Sequence, residues 1–145
     1  MQIRQMTPEQ ANETLSSSPN AVYIDVRTEG EFERGHPPGS LNVPVVFFDP
    51  AGGPAKPNPV FLDVVRRHVG VDKTVLLGCQ SGARSGRAAE VLVRAGYDDV
   101  TNVHGGFGGA RDRSGNVVVR GWRDAGLPVE TGQPDGRSYT DLIER

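Results

Sequence analysis

The sequence predicts an α/β protein with a mostly parallel sheet and helices on both of its faces. Three observations carry that expectation. Residues 21–26 and 74–78 are short apolar runs, rich in β-formers, that read as buried strands. Segments with helical spacing or helix-start signals stand between and after them. Strand and helix alternate along the chain, as crossover connections in a parallel sheet require. With 145 residues the chain suits one domain around a single ordinary core.

Thr7-Pro8-Glu9-Gln10 opens the first helix, with Thr7 as N-cap, Pro8 at the first helical position and Gln10 closing a capping box. Ser-Pro-Asn at 18–20 ends it near Ser17. The strand at 21–26 follows, and a second capping box, Thr28-Glu29-Gly30-Glu31, starts a short helix that stops near Gly35. Leu41-Asn42-Val43 reads as a short strand. Residues 49–59 are so rich in Pro and Gly that only loop is expected. Residues 61–69 have helical spacing, with Phe61, Leu62, Val65 and Val69 on one face. After the strand at 74–78, a helix is expected from Ser85 to about Ala95, its buried stripe made by Ala88, Val91, Leu92 and Ala95. Residues 100–103 form another strand, 105–109 read as flexible, and 117–119 are β-like. The domain is expected to span 1–130, followed by a polar C-terminal tail over 131–145 with a short helix near 139–143.

Composition narrows the function. A formal net charge of −2 gives no overall attraction to nucleic acid or to a membrane surface, so any anion site is local. No apolar run approaches the ~20 residues that cross a bilayer, and the opening residues lack the apolar core of a secretory signal. A single cysteine cannot form an internal disulfide, which makes a reducing cytoplasm the expected compartment.

That cysteine, Cys79, is the most informative residue in the chain. It follows the strand at 74–78 and opens a short polar loop, Cys79-Gln80-Ser81-Gly82-Ala83-Arg84, that runs into a helix. A thiol in that position faces free backbone N–H groups and the positive end of a helix dipole, both of which favour the reactive thiolate. If the loop curls round the sulfur, successive N–H groups form a nest for an anion. Gly82 permits the necessary backbone turn, Arg84 adds a planar fork of donors, and Ser81 and Ser85 offer hydroxyls. The loop therefore suits a small, doubly charged anion presented to a thiolate. With no second thiol in the chain, a covalent intermediate on Cys79 must be discharged by an outside acceptor or a partner chain.

These residues carry a family resemblance. Cys-Gln-Ser-Gly-Ala-Arg-Ser at 79–85, Asp25-Val26-Arg27 with Glu31-Phe32, and the stretch from Gly35-His36-Pro37-Pro38-Gly39 to Pro44 together resemble single-domain rhodaneses. His104-Gly105-Gly106-Phe107 and Gly126-Leu127-Pro128-Val129 are similar to the same family's closing pieces, in collinear order across about residues 5 to 130. The resemblance implies a rhodanese-like fold with a central, mostly parallel five-stranded sheet. It implies that Cys79 takes sulfane sulfur from thiosulfate as a persulfide and passes it to cyanide or a thiol. It also implies that the N–H groups of residues 80–84 hold the persulfide and that Arg84 helps bind thiosulfate. No cofactor is required. Glutathione, thioredoxin or a dedicated sulfur-relay protein are all compatible acceptors.

Two rivals share the scaffold. Cysteine phosphatases resemble Cys-x5-Arg, whereas four residues, Gln80 to Ala83, separate Cys79 from Arg84 here, a smaller cradle better fitted to a sulfur anion. An arsenate reductase would need an external thiol. A non-turnover carrier or sensor in a persulfide relay is the third reading. Asp25 and Arg27 sit near a strand's C-terminal end, where α/β sites collect, and are read as a supporting ion pair. His36, in a Gly-His-Pro-Pro-Gly turn, is read as scaffold. His68 is read as a helix-end cap and His104 as a loop anchor, and the three histidines and one cysteine show no metal-ligand spacing. The stretch from Gly108 to Trp122 is longer than the resemblance leads one to expect. Its Arg111, Arg113 and Arg120 place it, as an expectation, at the mouth of the site.

Overall fold

The computed structural model describes residues 3–145, and its centre is a five-stranded, wholly parallel sheet. In chain order the elements are β1 (Arg4–Met6), α1 (Pro8–Ser17), β2 (Ala21–Asp25), α2 (Glu29–Arg34), β3 (Leu41–Asn42), β4 (Val46–Phe47), β5 (Lys56–Pro57), α3 (Phe61–His68), β6 (Thr74–Gly78), α4 (Ala83–Arg94), β7 (Asp99–Val103), β8 (Ala110–Arg111), β9 (Val117–Val119) and α5 (Tyr139–Glu144). The sheet runs β1-β7-β6-β2-β3, which puts β6, the strand leading to Cys79, in the middle.

Strand side chains alternate between the two faces, and each face has its own core. On one, Ile24, Val75, Leu77 and Val100 pack with Val64 and Val65 of α3, Ala88 and Leu92 of α4, and Tyr139 and Leu142 of α5. On the other, Tyr23, Leu76 and Val103 pack with Ala11 of α1, Phe107 and Trp122. A sheet covered on both faces needs the continuous apolar run seen in β6, and its residues Val75 to Gly78 are all buried.

Both expected capping boxes form, at Thr7/Gln10 and Thr28/Glu31. Several boundaries differ from expectation for local reasons. β1 has no apolar pattern, and only its backbone pairing with β7 defines it. Within the Pro-rich segment, Lys56–Pro57 makes a two-residue antiparallel pair with Val46–Phe47, short enough to tolerate Pro57. Helix α4 starts at Ala83, and its buried stripe is Ser85, Ala88, Ala89 and Leu92, leaving Val91 38% exposed. The stripe follows helical spacing from Ser85, which faces the site rather than solvent.

The segment expected as a separate polar tail is docked on the domain. Tyr139 and Leu142 enter the core beside α3, the Asn42 N–H donates to the Arg137 carbonyl at 2.9 Å, and His68 Nε2 lies 2.7 Å from the Leu142 carbonyl. Two large apolar side chains at helical spacing suffice to anchor a run that composition marks as polar.

Candidate active site

Strand β6 ends at Gly78, where a side chain would overlap the Tyr23 hydroxyl. The next residue, Cys79, is 1% exposed. The chain then turns through Gly82, whose φ of +115° lies in the left-handed region that glycine enters without strain. That turn aims the Gly82 N–H at Cys79 Sγ, 3.0 Å away, and starts the 12-residue α4 with its N-terminus beside the sulfur. Ser85 Oγ lies 3.4 Å from Sγ and is held from behind by Asn102 Oδ1 at 2.5 Å, while Asn102 Nδ2 donates to Gln5 Oε1 at 3.1 Å. Negative charge on the sulfur therefore meets a backbone donor and a helix N-terminus.

A second backbone layer fixes the loop. The Phe107 N–H donates to the Cys79 carbonyl and the Gly108 N–H to the Gln80 carbonyl, each at 2.8 Å. The approach is so close that a side chain at Gly106 would overlap the Cys79 carbonyl, and one at Gly108 the Gln80 side chain. The glycine-rich stretch at 105–109, expected to be flexible, is instead a strap hydrogen-bonded to the Cys79 loop.

Arg84 does not reach freely over the sulfur. Its guanidinium makes a two-pronged pair with Glu31, at 2.8 and 2.9 Å, and lies 5.2 Å from the Phe48 ring centroid. Burial opposes ionisation of Glu31, but hydrogen bonds and charge from Arg84, with further hydrogen bonds from Thr28, outweigh it and hold the carboxyl at about 2. One side chain thus caps α2 and tethers the Cys79 loop. A carboxyl depressed from 4.5 to about 2 contributes stability that is complete above pH 4.5 and is lost as pH falls towards 2. Melting curves between pH 5 and 2 should show Glu31→Gln losing less stability than wild type, by about 1–2 kcal/mol after solvent screening. Parallel pH profiles would contradict the tether.

Asp25 and Arg27 form a buried ion pair, with Arg27 Nη2 donating to Asp25 Oδ2 at 2.7 Å and to the Gly35 carbonyl at 2.6 Å. The Arg27 guanidinium also lies 4.5 Å from the Phe107 ring centroid. The pair joins the end of β2 to the end of α2 and to the strap. Burial, reinforced by the Asp25 charge, pushes the Tyr23 phenol well above its ordinary 10, so that it stays neutral beneath the loop.

His36 is fully buried and stacked on Phe32, with Nδ1 2.6 Å from the Phe32 carbonyl and Nε2 3.0 Å from Glu130 Oε1. Both ring nitrogens are engaged, which leaves none to serve Cys79. Hydrogen bonds from Arg137 and His36 draw the Glu130 carboxyl down to about 2 against a smaller opposing effect of burial. His104 is exposed, and its backbone N–H anchors the loop by donating to the Met6 carbonyl at 2.8 Å. Among the described residues no group of three or more His, Cys, Asp or Glu side chains is placed to hold a metal ion.

A cavity of about 400 Å³ opens beside Gln80, Glu31 and Phe107. Of the long segment after Gly108, none of Arg111, Arg113 or Arg120 lines it. β8 and β9 form a hairpin, Arg120 pairs with Glu9 on the surface at 3.2 Å, and the arginines that line the cavity are Arg27, Arg34 and Arg123. Glu31, Asn102, Phe107 and Arg123 are the site residues that sequence reasoning overlooked. Glu31 and Phe107 stand in the motifs that carry the resemblance but were given no role at the site, and Asn102 and Arg123 take part through tertiary proximity alone.

This parallel α/β domain holds its cysteine at the tip of the central strand, with the Gly82 N–H and the start of α4 beside the sulfur, an arrangement suited to thiol-based group transfer. A family model for the rhodanese-like domain matches residues 7–112. Thiosulfate sulfurtransferase 16, a chloroplastic protein of Arabidopsis thaliana, is 38% identical over 108 residues, covering 74% of this chain and 78% of that protein. Thiosulfate sulfurtransferase 18 of the same plant is 38% identical over 111 residues, covering 75% of this chain and 71% of its own. The crystal structure of Rv0390 from M. tuberculosis matches with a TM-score of 0.73 at 35% identity, across 91% of this chain and 100% of that one. The chain belongs to the rhodanese-like family of sulfurtransferases.

Proposed function

We propose that this protein is a thiosulfate sulfurtransferase that works by double displacement through a Cys79 persulfide. The observation that carries the reading is the Gly82 N–H directed at Cys79 Sγ, 3.0 Å away at the N-terminus of α4. In the first step the Cys79 thiolate attacks the outer sulfur of thiosulfate. The new bond is S–S, the old S–S bond breaks, and sulfite leaves with its electron pair. The persulfide keeps one negative charge, on its terminal sulfur. In the second step cyanide or a thiolate attacks that terminal sulfur, and Cys79 departs as a thiolate. Charge balances in each step and no redox partner is needed.

The loop contributes electrostatic stabilisation in place of a general base. A hydrogen bond to a charged group contributes about 1.5–3 kcal/mol, and the positive end of α4 adds to it. The cradle spans four residues between Cys79 and Arg84, which supports a sulfur anion over a phosphoryl group.

In this reading Arg84 acts on the donor through its balance with Glu31. Glu31→Gln preserves the capping box while releasing the Arg84 charge towards the loop. It should lower the KM for thiosulfate about two- to fivefold, and Arg84→Ala, which leaves the Glu31 carboxylate unopposed, should raise it about tenfold. Steady-state kinetics with varied thiosulfate measure both, and an unchanged KM in Arg84→Ala would remove Arg84 from donor binding. The function itself is tested by thiocyanate release from thiosulfate and cyanide. Parallel double-reciprocal lines are expected for double displacement. Hydrolysis of an aryl phosphate without thiocyanate release would favour a phosphatase instead.

A further inference from the structure

We infer that Asn102 is a positioning residue: it turns the Ser85 hydroxyl proton away from Cys79, which leaves the resting thiolate one hydrogen bond short and the stronger nucleophile for it. The inference takes the nucleophile from the sulfur-transfer reading above and adds the residue that governs it.

A serine hydroxyl has one proton to donate. Three acceptors lie near Ser85 Oγ: Asn102 Oδ1 at 2.5 Å, the Gly82 carbonyl at 3.3 Å and Cys79 Sγ at 3.4 Å. The neighbours fix which end of the Asn102 amide faces Ser85. Asn102 Nδ2 lies 3.4 Å from the Gly82 carbonyl, which can only accept, and donates to Gln5 Oε1 at 3.1 Å. Oδ1 is therefore the atom turned to Ser85. Asn102 is buried, and its Oδ1 has no other donor among the described residues. Moving the proton to the sulfur would leave that acceptor unpaired, the costly outcome inside a protein. The Gly82 carbonyl needs no second donor, because the Gly86 N–H reaches it at 3.1 Å. The proton stays with Asn102.

Ser85 thus presents a lone pair to Sγ. A protonated Cys79 can donate to it, whereas the thiolate finds no donor there and relies on the Gly82 N–H and the start of α4. The pairing of Leu77 with Asn102 across β6 and β7 places the amide beside the strand that ends at the sulfur. A thiolate with fewer hydrogen bonds holds its charge less firmly and attacks more readily. The charged and titratable groups around the sulfur are Tyr23 and Asp25 of β2, Arg27 beyond it, and Arg84 of α4 with its partner Glu31. His104, after β7, is exposed, and the strap at 105–109 carries no charge. All of these are the same in the variants below, so their effects cancel.

The test is the pH dependence of the Cys79 thiolate, read by its ultraviolet absorbance, each protein against its own Cys79→Ser counterpart. In Asn102→Leu the Ser85 hydroxyl is released, and the charged sulfur is the strongest acceptor left to it. Little else is lost: Gln5 is exposed and turns to water, and the Gly82 carbonyl keeps the Gly86 N–H. The midpoint should fall by about one pH unit, a tenfold change in ionisation. Well above the midpoint, loading from thiosulfate should slow about two- to threefold, because the better-stabilised thiolate attacks less readily. In a Ser85→Ala background Asn102→Leu should not move the midpoint. Asn102→Asp keeps an acceptor for Ser85 and should not lower it. A midpoint unchanged or raised by Asn102→Leu would overturn the proposal, as would the same fall in the Ser85→Ala background or an equal fall in Asn102→Asp. Should leucine prevent folding, Asn102→Ala is measured with the same expectations. Failure of thiosulfate to load wild-type Cys79 counts against the function proposed above, and the ionisation midpoints still decide the role of Asn102.

Discussion

Cys79→Ser should abolish sulfur transfer, with thiocyanate release falling by at least about 10³-fold, to the uncatalysed level. The side chain is the one thiol in the chain, so no neighbour can take over the covalent step. Serine is smaller and can still accept the Gly82 N–H, and Sγ makes no other contact that a hydroxyl cannot make with Ser85. The variant should therefore melt within a few degrees of wild type. Transfer activity retained by a folded Cys79→Ser protein would refute covalent sulfur transfer at this residue.

Gly106→Ala should have the second largest effect, on stability and activity together. Its φ of +54° costs an alanine about 1 kcal/mol. The added carbon would also overlap the backbone of Cys79 and Gln80, which cannot move aside as a flexible side chain could. Relieving that overlap breaks the strap's two 2.8 Å hydrogen bonds to the Cys79 loop. Together these changes should destabilise by about 2–4 kcal/mol, lower the melting temperature by roughly 10 °C, and reduce turnover at least tenfold through misplacement of the sulfur. Gly115→Ala is the control, because its φ of +85° imposes a similar backbone penalty in open space. Thermal melts and thiocyanate release on both variants separate the two causes. Equal behaviour of the pair would show that the strap does not position the loop.

The fold was largely legible because its signals are local. Capping boxes at Thr7 and Thr28 fixed two helix starts, and the uniformly apolar β6 announced a central strand. β1 escaped because an edge strand of three residues, Arg-Gln-Met, has no period to read and exists through its ladder with β7. Docking of the last fifteen residues escaped because Tyr139 and Leu142 are outnumbered by polar neighbours, and only the groove beside α3 reveals their use.

The site divides in the same way. Cys79, Gly82 and Ser85 were readable because strand, turn and helix start are contiguous in sequence. The Arg84–Glu31 pair joins residues 53 positions apart, and Ser85–Asn102 joins residues 17 apart across two elements. Such contacts leave no trace in spacing. The glycines at 105–109 were noticed but misread, since composition cannot distinguish a flexible loop from backbone packed too closely for side chains.

The most direct test of sulfur transfer is the intact mass of reduced protein after exposure to thiosulfate, with Cys79→Ser alongside. The wild type should gain one sulfur, lose it to cyanide with release of an equal amount of thiocyanate, and return to its starting mass, while the serine variant stays unchanged. A wild type that gains no sulfur, or a serine variant that gains it equally, would contradict a Cys79 persulfide formed from thiosulfate.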